Sequence, residues 1–124
     1  WKEVALTDDG KTDPVLSSAP AAFPIFQWHD DTFTLPKGAE RLATAASGEN
    51  QAYRIGRAAY GVQFHFEADR PLVAERSRLN AEYLDKHQPG WAERGPEEAE
   101  RHGPASDAAG LSIARNWVRT IEVS

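Results

Sequence analysis

Two alternating runs, "QAYRIG" at 51–56 and "AAYGVQFH" at 58–65, meet across Gly56 and Arg57. Alternation of apolar and polar residues is the period of a half-buried strand, and a glycine between two such runs supplies the turn. The spacing predicts a β-hairpin. Before it lie three further strand-like runs: "WKEVAL" at 1–6, "FPIFQWH" at 23–29 and "RLATAA" at 41–46. Pro24 marks the second of these as an edge or a strand start, because proline cannot donate to a ladder. "TDDGKTD" (7–13) reads as a turn, "DPVLSSAP" (13–20) as a turn with a short helical piece, and "DDTFTLPKGAE" (30–40) as a loop.

Past Glu67 the character changes. Asp69 is a helix cap and Pro71 suits the first turn, with Leu72, Leu79 and Tyr83 near one face. "KHQPGWAERGPEEAERHGP" (86–104) is polar and punctuated by proline and glycine, so it reads as a surface insertion, partly helical. Within it "EEAER" is a solvated face with i,i+4 pairing. Residues 106–121 form a last helix, with Leu111, Ala114, Val118 and Ile121 on its apolar face. Trp91 and Trp117 read as packing residues, and His87 and His102 as exposed. Strands come first and helices after. A complete α/β domain alternates the two, so this order suits the back half of one.

At 124 residues, 40% hydrophobic, the chain is one domain at most. Its net charge of −5 and the lack of a basic stripe argue against nucleic acid. No apolar run approaches the roughly 20 residues that span a bilayer. It opens on Trp1 rather than methionine, which points to processing, proteolysis or a boundary inside a longer protein. With no cysteine, the chain has no disulfide, no thiolate metal site and no cysteine nucleophile of its own.

"YGVQFHFEAD" (60–69) carries the chemistry. In an extended segment, residues two apart point to one side, so His65 and Glu67 can face one pocket. A neutral imidazole with a carboxylate at its second nitrogen is a general base held in one tautomer. It needs a nucleophile, and Ser17, Ser47 and Ser77 are not obviously near. On spacing alone an ordinary strand-end histidine beside a surface glutamate is the commoner outcome. "WHDD" (28–31) sets His29 beside two carboxylates. With His65 and Glu67 these could hold a divalent metal, or form a turn capped by aspartate hydrogen bonds.

The run "NQAYRIGRAAYGVQFHFE" (50–67) resembles the C-terminal signature of class I glutamine amidotransferases, a Cys-His-Glu triad family. Tyr60, Gly61, Gln63, Phe64, His65 and Glu67 match a Tyr-Gly-x-Gln-Phe-His-Pro-Glu pattern. Phe66 stands where the family has proline. Asn50, Gln51, Tyr53, Arg54 and Gly56 match the strand before it, and "FQWHDDTFTLPKGAERLATA" (26–45) resembles the preceding segment. The resemblance is strongest to members similar to the amidotransferase domain of GMP synthase. It covers about residues 1–84, recurring weakly in the last helix, and 86–104 has no counterpart.

The resemblance implies that the whole chain, 1–124, is the C-terminal part of such a domain. Its fold is then an open, mostly parallel, three-layer flavodoxin-like sheet, with a β-hairpin and C-terminal helices. His65 becomes the general base and acid, and Glu67 the carboxylate that orients it. Trp28, His29, Asp30 and Asp31 line the glutamine pocket. The nucleophilic cysteine belongs to an N-terminal half, and the chain alone is expected to be inactive. The substrate is L-glutamine, the setting cytoplasmic, and neither cofactor nor metal is required. Partners are the cysteine-bearing half, an ammonia-accepting synthetase and a second copy, with no nucleic acid and no membrane. The rival from another class is an amidotransferase-like binding or regulatory module without chemistry. A Gly-x-Cys-x-Gly block upstream would discriminate the two.

Overall fold

The computed structural model describes residues 1–29 and 31–121. The described elements, in chain order, are β1 (Lys2–Leu6), α1 (Asp8–Thr12), β2 (Ala22–Ile25), β3 (Glu40–Ala45), β4 (Gly48–Ile55), β5 (Ala59–Val62), α2 (Arg70–Leu79), α3 (Ala81–His87) and α4 (Trp91–Arg119). The strands form one sheet in the order β2-β1-β3-β4-β5, and every neighbouring pair is antiparallel.

The expected mostly parallel, three-layer sheet is therefore corrected. Parallel neighbours need a long crossover, usually a helix, between consecutive strands. Here only Ala46 and Ser47 separate β3 from β4, and only 56–58 separate β4 from β5. Connections so short permit hairpins alone. The expected hairpin forms, with Tyr53 opposite Gly61 and Ile55 opposite Ala59. Gly56 turns it at φ 63°, a left-handed conformation that glycine adopts without strain. Pro24 lies on edge strand β2, opposite Glu3.

Alternation places Val4 and Leu6 of β1 in the core, with Phe23 and Ile25 of β2 and Leu42 of β3. Val15 and Leu16 join them from the turn before β2, and Ala109 and Ile113 from α4. Residues 7–13 differ from the expected plain turn. Thr7 accepts a hydrogen bond from Gly10 N (3.1 Å), and Asp8 and Asp9 occupy the first turn, so a short helix forms.

The helices depart furthest from expectation. Asp69 caps α2 by accepting from Leu72 N (3.0 Å), as read. The helix stops at Asn80, whose side chain donates to Arg76 O (2.8 Å). The face from Leu72 through Leu79 to Tyr83 is thereby broken: Val73 is buried, Leu79 is 65% exposed, and Tyr83 belongs to α3.

Within 86–104, expected to be a partly helical surface insertion, residues 91–104 form the first half of the unbroken helix α4. Pro96 and Pro104 lie inside it, and each follows a glycine. The clash that bars helical backbone before proline involves the Cβ of the preceding residue, which Gly95 and Gly103 lack. Glycine serves packing too. A Cβ on Gly110 would strike the Phe66 carbonyl, and one on Gly103 the Arg70 side chain. The buried face of α4 therefore reads Gly95, Gly103, Ser106, Ala109, Gly110 and Ile113. Leu111, Trp117, Val118 and Ile121, taken above as packing residues, are 51, 44, 58 and 55% exposed.

Candidate active site

The chain leaves β5 at Val62, and Gln63 N still donates to Gln51 O (2.8 Å). Phe64 is buried and packs edge-on against Phe23, with ring centroids 6.1 Å apart. His65 N donates to Phe26 O (2.9 Å), and Ala68 N to His65 O (3.3 Å). These bonds fold 65–68 into a tight turn, so the pair meets through a turn rather than along an extended strand. His65 Nδ1 lies 2.6 Å from Glu67 Oε1. The side chains are 39% and 57% exposed, so the pair opens on solvent at one side.

Proton placement follows from the partners. With hydrogen on Nδ1 the ring donates to Glu67, leaving the Nε2 lone pair for proton transfer. Nε2 faces the Trp28 carbonyl at 3.1 Å. Only a doubly protonated ring could donate to both oxygens at once.

The pocket residues named from the sequence have separate fates. Trp28 meets His65 through its carbonyl, while its ring stacks on Tyr83 with centroids 6.2 Å apart. His29 does not turn to His65 or Glu67. Its Nε2 lies 2.8 Å from Gln27 Oε1, and its Nδ1 2.9 Å from Asp31 O. Asp31 has an exposed side chain and contributes its carbonyl, which also accepts from Gln63 Nε2 (2.6 Å). Asp30 lies outside the described residues. Among the described residues no group of three His, Cys, Asp or Glu is placed to hold a metal, and no helix is long and apolar enough to cross a membrane.

Three glutamines had no assigned role and prove to hold the loop. Gln27 Nε2 donates to Gln51 Oε1 (2.8 Å), and Gln51 Nε2 to Gly48 O (3.0 Å). Gln51 is fully buried, so its amide must find partners within the fold. With Gln63 they tie Gln27 and Asp31 to β4 and to the approach of His65. Their positions within the matched blocks were the available signal.

A second polar lock pins the hairpin itself. Asp13 is buried, and its carboxylate accepts from Val15 N (2.9 Å), Leu16 N (3.2 Å), Arg54 Nη1 (2.8 Å) and Tyr60 Oη (3.0 Å). Burial pushes the Tyr60 hydroxyl above its ordinary pKa, and the hydrogen bond and charge of Asp13 push it further.

No protein-family model and no curated protein sequence matches the chain. Solved structures do. A glutamine amidotransferase from Thermotoga maritima superposes with a TM-score of 0.80 at 29% identity, over 95% of this chain and 49% of that one. A glutamine amidotransferase from Methylobacillus flagellatus gives 0.78 at 19% identity, over 100% and 53%. The chain thus carries a glutamine amidotransferase-like fold, as the sequence resemblance implied. It spans about half the length of the solved structures it matches.

Proposed function

We propose that the chain is the C-terminal part of a class I glutamine amidotransferase, supplying the histidine and glutamate of a Cys-His-Glu triad. The observation that carries this reading is the 2.6 Å contact between His65 Nδ1 and Glu67 Oε1, in a chain folded like glutamine amidotransferases. In this reading a cysteine of the N-terminal half attacks the carboxamide of L-glutamine. His65 gives its proton to the departing ammonia, then takes one from the water that cleaves the thioester. Glu67 keeps Nδ1 protonated and steadies the imidazolium. Trp28, His29, Asp30 and Asp31 line the glutamine pocket, with the Trp28 and Asp31 carbonyls held as described. No cofactor enters this half-reaction, and a separate synthetase takes the ammonia.

The test is ammonia release from glutamine by the chain alone and joined to the cysteine-bearing half. The joined protein should turn over and the chain alone should not, since losing a triad nucleophile costs several orders of magnitude. His65→Ala should abolish turnover, and His102→Ala should leave it unchanged. Activity in the isolated chain that vanishes in His65→Ala would refute the half-site assignment.

A further inference from the structure

The hairpin that leads to His65 also reaches the segment after β2, and it does so with two side-chain amides. Gln51 of β4 and Gln63, one residue beyond β5, are joined through their backbones, Gln63 N donating to Gln51 O (2.8 Å). Their side chains take different ends of the segment. Gln51 Oε1 accepts from Gln27 Nε2 (2.8 Å), and Gln63 Nε2 donates to Asp31 O (2.6 Å). His29 bridges the same two residues, with Nε2 2.8 Å from Gln27 Oε1 and Nδ1 2.9 Å from Asp31 O. Trp28 lies between these anchors, its carbonyl 3.1 Å from His65 Nε2.

The direction of each amide is set by a group that can only accept. A backbone carbonyl has no hydrogen to give. Gly48 O therefore draws the amino group of Gln51, at 3.0 Å, which turns Gln51 Oε1 toward the amino group of Gln27. Asp31 O likewise draws the amino group of Gln63. A glutamate at 63 would keep the shape of the side chain and lose the donor. The two amides differ in what else depends on them. Gln51 is fully buried, so its loss would unsettle the core as well. Gln63 is half-buried, and its amide holds the loop rather than the core.

We infer that Gln63 is a positioning residue for glutamine: it holds the pocket wall to which Trp28 and Asp31 belong in register with His65, and so sets substrate affinity without touching the reacting atoms. The inference rests on the amidotransferase reading above. His65 Nδ1 meets Glu67 Oε1 without help from Gln63, so the proton transfers stay intact when the wall loosens. A wall that meets ground state and transition state alike acts on KM and leaves kcat in place.

The test is steady-state ammonia release by the joined protein, with calorimetric binding of glutamine and thermal melts beside it. Gln63→Glu should raise KM and the dissociation constant about tenfold, the scale of one hydrogen bond, with kcat within about twofold of the parent. Gln63→Lys, which returns a donor, should bring KM most of the way back. The thermal midpoint of Gln63→Glu should match the parent's. An unchanged KM in Gln63→Glu overturns the inference. So does a rise that Gln63→Lys fails to repair, or one that follows a lowered thermal midpoint in both variants. Glutamine binding that depends on residue 63 in this way, in a joined protein that releases no ammonia, keeps the positioning role and removes the triad reading. Turnover with KM indifferent to residue 63 does the reverse. Failure of the joined protein to bind glutamine overturns both.

Discussion

At the scale of single residues, two polar arrangements do different work. His65 and Glu67 are half-exposed, and their proximity costs little desolvation. Asp13 is fully buried, and four donors offset its desolvation. Removing the acceptor leaves the Tyr60 hydroxyl and the Val15 and Leu16 amides without their partner, and Arg54 with Glu40 alone. Asp13→Ala should therefore lower unfolding free energy by about 3–5 kcal/mol in denaturant titration. Tyr60 adds a pH dependence with a definite sign. Its folded pKa is raised above the ordinary tyrosine value of 10.0, so its contribution is fully present below pH 10 and lost as pH rises through the folded value. Thermal melts should show stability falling in that alkaline range, and Tyr60→Phe should remove this part of the fall. His65 and Glu67 were singled out through the resemblance of "YGVQFHFE" to an amidotransferase signature, since their spacing alone favoured an ordinary strand-end pair. Asp13 was not: beside Pro14 it reads as turn punctuation, and its partners lie 41 and 47 residues away.

At the scale of elements, α4 packs against the turn carrying His65 and Glu67. Its Gly110 lies against the Phe66 carbonyl, one residue from each member of the pair. Gly110→Ala would drive a methyl group into backbone that has no rotamer to relax. It should cost about 1–3 kcal/mol in denaturant titration. In the joined protein it should also lower ammonia release. Ala105→Ser, on the exposed side of the same helix, should stay within about 0.5 kcal/mol of the parent. The hairpin was legible through its period of two. The length of α4 was hidden by Pro96 and Pro104, which read as breakers until the preceding glycines are considered. Its buried face was hidden because apolar periodicity favours large side chains, whereas close approach here selects glycine, alanine and serine.

At the scale of the whole molecule, the chain matches about half of its structural neighbours and leaves apolar surface open. Leu111, Trp117, Val118 and Ile121 are exposed near the end of α4, and β5 is an edge of the sheet. Exposed patches and free edges seek partners. At micromolar concentration the chain should associate, with itself or with the cysteine-bearing half. Leu111→Glu with Val118→Glu should shift light-scattering mass toward the monomer, and a monodisperse wild-type monomer would contradict this. The antiparallel order could not be read from strand count alone, since it depends on which strands pair. In the proposed triad Glu67 acts on glutamine cleavage through His65, and kcat of the joined protein with Glu67→Gln reports that role. The amide cannot hold the imidazole as the carboxylate does, so kcat for ammonia release should fall about 10²–10⁴-fold with KM little changed. A kcat equal to that of the parent would contradict the assignment.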